Sequence, residues 1–237
     1  MTACNGATQA SSGPSESPTT ANTSSVSPTP SESEIRGCVP ECSTGFSDPG
    51  AIGPGPYTTA AFLDGQLTVT YPSRWESHED QGVEFSSAPA AKWDVHRVLF
   101  WDDILPWDQK QGRVATGVPS TAAGWVEWLS SNPIVTVTSP RHATITRMRL
   151  PATYLDITDA SGGERFPEPI TWPNAGGNRY GIGGDFVFRL YLADVTYGGK
   201  DHLLAVAVEG QDSEDLKSFL PEAKQVIATA EAPIEAA

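Results

Sequence analysis

The sequence predicts an α+β domain, a mainly antiparallel sheet with two helices, preceded by a disordered Ser/Thr/Pro stalk. Three observations carry this. Runs with strand-like alternation follow one another with few helices between them, whereas a parallel doubly wound fold would alternate the two. Two strand-like runs near the end flank Gly198-Gly199, a tight-turn signal that joins them as an antiparallel hairpin. Two segments show a helical period, one around Trp125 and one closing the chain.

The stalk covers residues 1–34. It holds no aromatic residue, and Ser, Thr and Pro make up more than half of it. Segments such as Val26-Ser-Pro-Thr-Pro-Ser bury almost nothing, so they cannot offset a backbone ordering cost of about 1–2 kcal/mol per residue. Its prolines favour extended conformers, which supply reach. Residues 35–56 read as an irregular lead-in rich in Gly and Pro, with the pair Cys38 and Cys42. A single domain is expected over 57–237.

Within it, Gln66 to Tyr71 alternates and forms a strand with Leu67, Val69 and Tyr71 inward, ended by Pro72. Val83-Glu-Phe-Ser is a second strand and Val95 to Trp101 a third, with His78-Glu79-Asp80 in a solvated hairpin turn. Ser120 caps a helix over Thr121–Leu129 that lines up Trp125, Trp128 and Leu129, and Asn132-Pro133 closes it. Ile134–Thr138, Thr144–Leu150 and Thr153–Thr158 are strands, followed by a loop from Asp159 to Gly184. Phe186, Phe188, Leu190 and Leu192 form the apolar face of the first hairpin strand, and Leu203–Val208 is the second. Asp212 or Ser213 caps the last helix, which buries Leu216, Phe219, Leu220, Ala223, Val226 and Ile227; Pro221 would limit its first half, so that the regular helix begins there.

Charge narrows the function classes. The chain carries 29 acidic and 15 basic side chains, a formal net charge of -14. The first 56 residues account for five acidic and one basic, so most of the excess belongs to the folded domain. Phosphate-backbone binding and attachment to an anionic lipid surface both need Lys and Arg in excess, so neither a nucleic-acid partner nor a polybasic membrane patch is expected. No apolar run approaches the roughly 18–20 residues of a transmembrane helix.

Met1-Thr2-Ala3-Cys4 resembles the end of a bacterial lipoprotein signal: an apolar residue, two small residues, and the cysteine whose thiol receives diacylglycerol. Met1 stands where Leu is usual, and the charged and apolar regions of a signal do not precede it. The resemblance implies a removed signal peptide, lipidation of Cys4, and an extracytoplasmic domain joined to the membrane through the lipid anchor only. Cys38 and Cys42 then remain as an even pair, which suits a disulfide in an oxidising compartment. A redox pair or half of a zinc site are the alternatives, although C-x-x-C spacing is absent and no further cysteine completes a zinc set.

Further residues resemble a domain without assigned activity found in surface lipoproteins of high-GC Gram-positive and related bacteria. They are Tyr57-Thr-Thr-Ala-Ala-Phe with Leu67 to Trp75, Gly124 to Pro133 with Val135-Thr-Val-Thr, Arg189 to Val195, and Phe219 to Ile227, a span of about 57–230. The Asp159–Gly184 loop departs from that family, which often carries cysteines there.

For chemistry, the sequence has no G-x-S-x-G elbow, no H-E-x-x-H and no EF-hand loop, and His78, His96, His142 and His202 show no triad spacing. Gly181-Ile-Gly-Gly-Asp precedes a strand, so it offers no helix N-terminus to phosphate. No catalytic residue, metal-ligand set or cofactor is assigned. The most suggestive stretch is Phe100-Trp-Asp-Asp-Ile-Leu-Pro-Trp. In it Trp101, Asp102, Asp103 and Trp107 combine aromatic faces with carboxylates, a pairing that grips sugars or cations, and adjacent aspartates also suit calcium. The plain alternative places the two tryptophans partly in the core and the aspartates at a strand end. The expectation is a non-catalytic, surface-tethered binding lipoprotein with a cell-wall glycan or protein partner; the alternative is an extracytoplasmic hydrolase using carboxylates such as Asp102 and Asp103.

Overall fold

The hairpin read around Gly198-Gly199 is the centre of the molecule. In the computed structural model, which describes residues 50–161, 167–173, 179–183 and 185–237, Val187–Tyr197 and Lys200–Gly210 pair in full antiparallel register from Val187↔Gly210 to Tyr197↔Lys200. Gly198 and Gly199 both have positive φ, 58° and 75°, the conformation a two-residue hairpin turn demands.

In chain order the strands are β1 (Gly50–Ile52), β2 (Gly55–Thr58), β3 (Thr68–Tyr71), β4 (Trp75–Gln81), β5 (Glu84–Pro89), β6 (Arg97–Asp102), β7 (Leu105–Asp108), β8 (Arg113–Val114), β9 (Val135–Val137), β10 (Arg141–Ile145), β11 (Leu150–Asp159), β12 (Ile170–Thr171), β13 and β14 (the hairpin), and β15 (Glu235–Ala236). Helix α1 spans Ala122–Ser131 and α2 spans Ser213–Thr229. Among the described residues these build a ten-stranded antiparallel sheet, ordered β1-β4-β5-β6-β14-β13-β11-β10, with β15 on β13 and β9 on β11. Two smaller sheets, β12-β7-β8 and β2-β3, accompany it. The α+β class with two helices holds.

The central strands are apolar on both sides because each side has its own helix. On β14, Leu204, Val206 and Val208 join the core that contains α2, whereas Leu203, Ala205 and Ala207 join the one that contains α1. Strand β6 divides the same way, Val98 and Phe100 against Leu99 and Trp101. With a side-chain period of two, such strands read as continuous hydrophobic runs. The α2 face buries the six residues its periodicity predicts. Asp212 is its cap, accepting from the amides of Glu214 and Asp215. The helix runs through Pro221 rather than beginning there, at the cost of the one intrahelical hydrogen bond that a proline cannot donate, and that residue is exposed.

Several boundaries differ from expectation. Thr121, not Ser120, caps α1, its hydroxyl accepting from Gly124 N at 3.1 Å. The strand expected at Thr144–Leu150 is broken by a hairpin turn at 146–149: Thr144 and Ile145 end β10, Leu150 begins β11, and Arg149 has φ 55°. Its alternating Thr and Arg mimic a half-buried strand, but Thr146, Arg147 and Arg149 are all exposed. His78-Glu79-Asp80 lies inside β4, and the turn is at Gly82-Val83. The expected loop from Asp159 contains the short β12, bridged to Tyr180, and the expected lead-in contains β1 and the start of β2. The stalk, Cys4, Cys38 and Cys42 lie outside the described residues.

Asp80 explains the β4 difference. It is 4% exposed and accepts from the backbone amides of Ala60, Ala61 and Phe62 at 2.5–3.1 Å, and from the Tyr57 hydroxyl at 3.2 Å. A carboxylate with four donors anchors the 3₁₀ turn Phe62–Gly65, whose Leu63 and Asp64 sit at positive φ. Tyr197 holds the same turn from β13, its hydroxyl reaching Leu63 O at 3.2 Å and Asp64 at 3.0 Å. No described helix is long and apolar enough to cross a membrane.

Candidate cation-binding site

The Trp-Asp-Asp-…-Trp stretch is divided by the fold. Neighbours on a strand point to opposite faces. Trp101 therefore enters the α1-side core, fully buried and edge-on to Tyr180 with ring centroids 4.9 Å apart. It offers no face to a solute. Trp107 belongs to β7 in the separate three-stranded sheet, where the Arg179 guanidinium covers its ring at 4.9 Å. The two tryptophans and two aspartates do not form one aromatic-carboxylate clamp.

The aspartates gain a different partner. Asp102 pairs with Leu204 across β6 and β14, so its side chain shares a face with His202, two residues earlier on β14. Asp103 follows the strand end with φ 52°, a left-handed conformation that Asp tolerates better than most residues. This turn brings a second carboxylate to the same imidazole instead of to the opposite face. His202 Nδ1 lies 3.2 Å from Asp102 Oδ1 and 2.9 Å from Asp103 Oδ2. One ligand atom from each residue lies within 4.8 Å of the others. The remaining Asp103 oxygen, Oδ1, accepts from Leu203 N at 3.0 Å, which fixes the carboxylate.

The electrostatics call for positive charge. Burial, then the neighbouring Asp103 carboxylate, pushes the Asp102 carboxyl above its ordinary value, and His202 acts the other way. The side chains of Asp102 and His202 are each 17% exposed and that of Asp103 40%, so the group is partly dry yet open on one side. Despite its proximity to both carboxylates, Nδ1 makes no hydrogen bond of ordinary geometry among the described residues. Two carboxylate oxygens and an imidazole nitrogen form a donor set for a divalent ion such as zinc or manganese, with water completing the shell.

A second acidic feature lies on the other face of the sheet. Glu84 on β5 stands directly opposite Trp101 and is 9% exposed. Burial, then the nearby Glu79 carboxylate, pushes its carboxyl up to about 7. Glu209, opposite Arg97 on the same face, is held by the Arg97 guanidinium and the Tyr180 hydroxyl.

Sequence reasoning found Asp102 and Asp103 but missed His202, which lies about a hundred positions away. The available signal was the β13–β14 hairpin; what was lacking was the pairing of β14 with β6. No protein-family model matches the chain, and no curated protein matches it. Among solved structures it is similar to the solution structure of the cyanobacterial PsbP protein of Synechocystis, with a TM-score of 0.39 and 9% identity, covering 79% of this chain and 95% of that one.

Proposed function

We propose that this chain is a non-catalytic, surface-tethered binding lipoprotein of the kind its sequence resembles, whose folded domain takes a divalent cation at Asp102, Asp103 and His202. The observation that carries the cation is the convergence of two carboxylates and a ring nitrogen within 4.8 Å, reached from two strands and a left-handed residue. The tether rests on the Thr2-Ala3-Cys4 signal remnant and the Ser/Thr/Pro tail. Against the hydrolase reading, Asp102 and Asp103 meet at one imidazole, whereas paired catalytic carboxyls face each other across a cleft at about 5–10 Å.

Calorimetric titration of the metal-free protein with zinc, manganese and calcium tests the cation. Zinc or manganese should bind one ion per chain, and His202→Ala and Asp103→Asn should each weaken it at least tenfold. Equal affinity in wild type and variants overturns the assignment and leaves the trio as a structural ion pair. Mass spectrometry of the protein from its native membrane tests the tether: a diacylglycerol adduct on Cys4 supports it, and an unmodified Cys4 refutes it.

A further inference from the structure

A cavity at the start of α2 carries a second site, independent of the cation-binding trio. It measures about 660 Å³ and opens beside the start of α2. That size suits a small organic ligand, for which pockets of roughly 300–1,000 Å³ are usual.

Its floor is a fixed polar network. Glu209 is 4% exposed and accepts from both the Arg97 guanidinium and the Tyr180 hydroxyl. Arg97 is held further by the rings of Trp93 and Tyr180, at 5.0 and 5.6 Å from their centroids. This cation is thus already engaged by a buried carboxylate and two aromatic faces, which leaves it little to offer an incoming anion. One wall is apolar, formed by Ile182, Phe186 and Phe188.

The rim is acidic: Glu168, Asp185 and Asp212 line it. Glu168 is matched by Arg179 at 3.4 Å. Asp185 is exposed and has no ion pair among the described residues. Asp212 uses Oδ1 to cap α2, accepting from the amides of Glu214 and Asp215, so these two donors are already taken and do not call for an anion. An apolar wall with a negative rim, and with Arg97, the one cation among the described lining residues, neutralised, selects a positively charged group on an apolar stem.

We propose that this cavity binds a small organic amine, its alkyl stem against Phe186 and Phe188 and its ammonium between Asp185 and Asp212. Cationic recognition by rim carboxylates depends on charge and salt, whereas the apolar wall contributes without regard to charge. A diamine, the diol of the same length and the matching dicarboxylate therefore separate the two contributions.

The experiment is a titration of the intact chain with 1,5-diaminopentane, 1,5-pentanediol and pentanedioate, followed by calorimetry and by NMR of the Phe186 and Phe188 rings. The diamine should bind and shift both rings, while the diol and the dicarboxylate bind at least tenfold more weakly. Asp185→Asn with Asp212→Asn should weaken the diamine about tenfold; because loss of the α2 cap could disturb the helix, Asp185→Asn alone should still cost about threefold. His202→Ala should leave diamine binding unchanged, which separates this site from the cation trio. Diol binding as tight as the diamine, tighter dicarboxylate binding, or full affinity in both rim variants overturns the proposal.

Discussion

Replacing Glu84 by Gln should remove one source of the stability the domain loses between acidic and neutral pH. Glu84 is buried at the cross-strand position opposite Trp101, and its carboxyl is raised from an ordinary 4.5 to about 7, chiefly by burial and then by Glu79. Between those two values the folded chain holds a proton that the unfolded chain releases. Folding therefore takes up a proton there, and stability falls as pH rises from about 4.5 to about 7, then levels off. The gap between those two values, at about 1.36 kcal/mol per pH unit, corresponds to roughly 3 kcal/mol. Gln has the shape of the neutral acid and cannot ionise. Urea unfolding of the two proteins at half-unit steps from pH 4.5 to 8 should give a difference near zero at the acidic end. The difference should grow to roughly 3 kcal/mol in favour of Glu84→Gln above pH 7, or about 6–12 °C in Tm for a domain of this size. Carboxylates that do not interact with Glu84 titrate alike in both proteins and cancel in the difference; Glu79, whose charge raises Glu84, does not cancel and adds to it. A difference that stays constant across the range would refute the reasoning.

Two further substitutions probe the frame around the sites. Asp80→Ala removes the acceptor for three backbone amides and a tyrosine hydroxyl, and should cost about 3 kcal/mol in chemical denaturation, with proteolytic cleavage appearing near Phe62. Gly210→Ala would place a Cβ 2.5 Å from the Leu216 backbone at the junction of β14 and α2, so it should destabilise by about 2–3 kcal/mol, while Gly199→Ser, at a turn with open space, should cost about 1 kcal/mol for its positive φ.

What was legible in the sequence followed from periodicity. The β13–β14 hairpin and the buried face of α2 were readable because a Gly-Gly turn and six residues at helical spacing are local signals. Leu67, Val69 and Tyr71 were readable inward for the same reason. Strand β4 was not: Trp75-Glu-Ser-His-Glu-Asp-Gln looks like solvated chain, and its buried Asp80 makes sense only when the amides of Ala60–Phe62 arrive from a distant turn. The candidate site was half legible. Asp102 and Asp103 stood out as neighbours, but alternation on β6 sends Trp101 away from them, and His202 joins through a long-range pairing that local sequence does not encode. The cavity combines Arg97, Glu209 and Asp212 from three elements, and was hidden for the same reason.

If His202 and the two aspartates hold a divalent ion, the His202 ring nitrogens report it. In a zinc titration followed by ¹⁵N NMR of the imidazole groups, the His202 Nδ1 resonance should move to the metal-bound position at one equivalent while the exposed His142 on β10 stays unchanged. A His202 spectrum unaltered at saturating zinc, or one that moves no more than His142, would mean that no ion is held there.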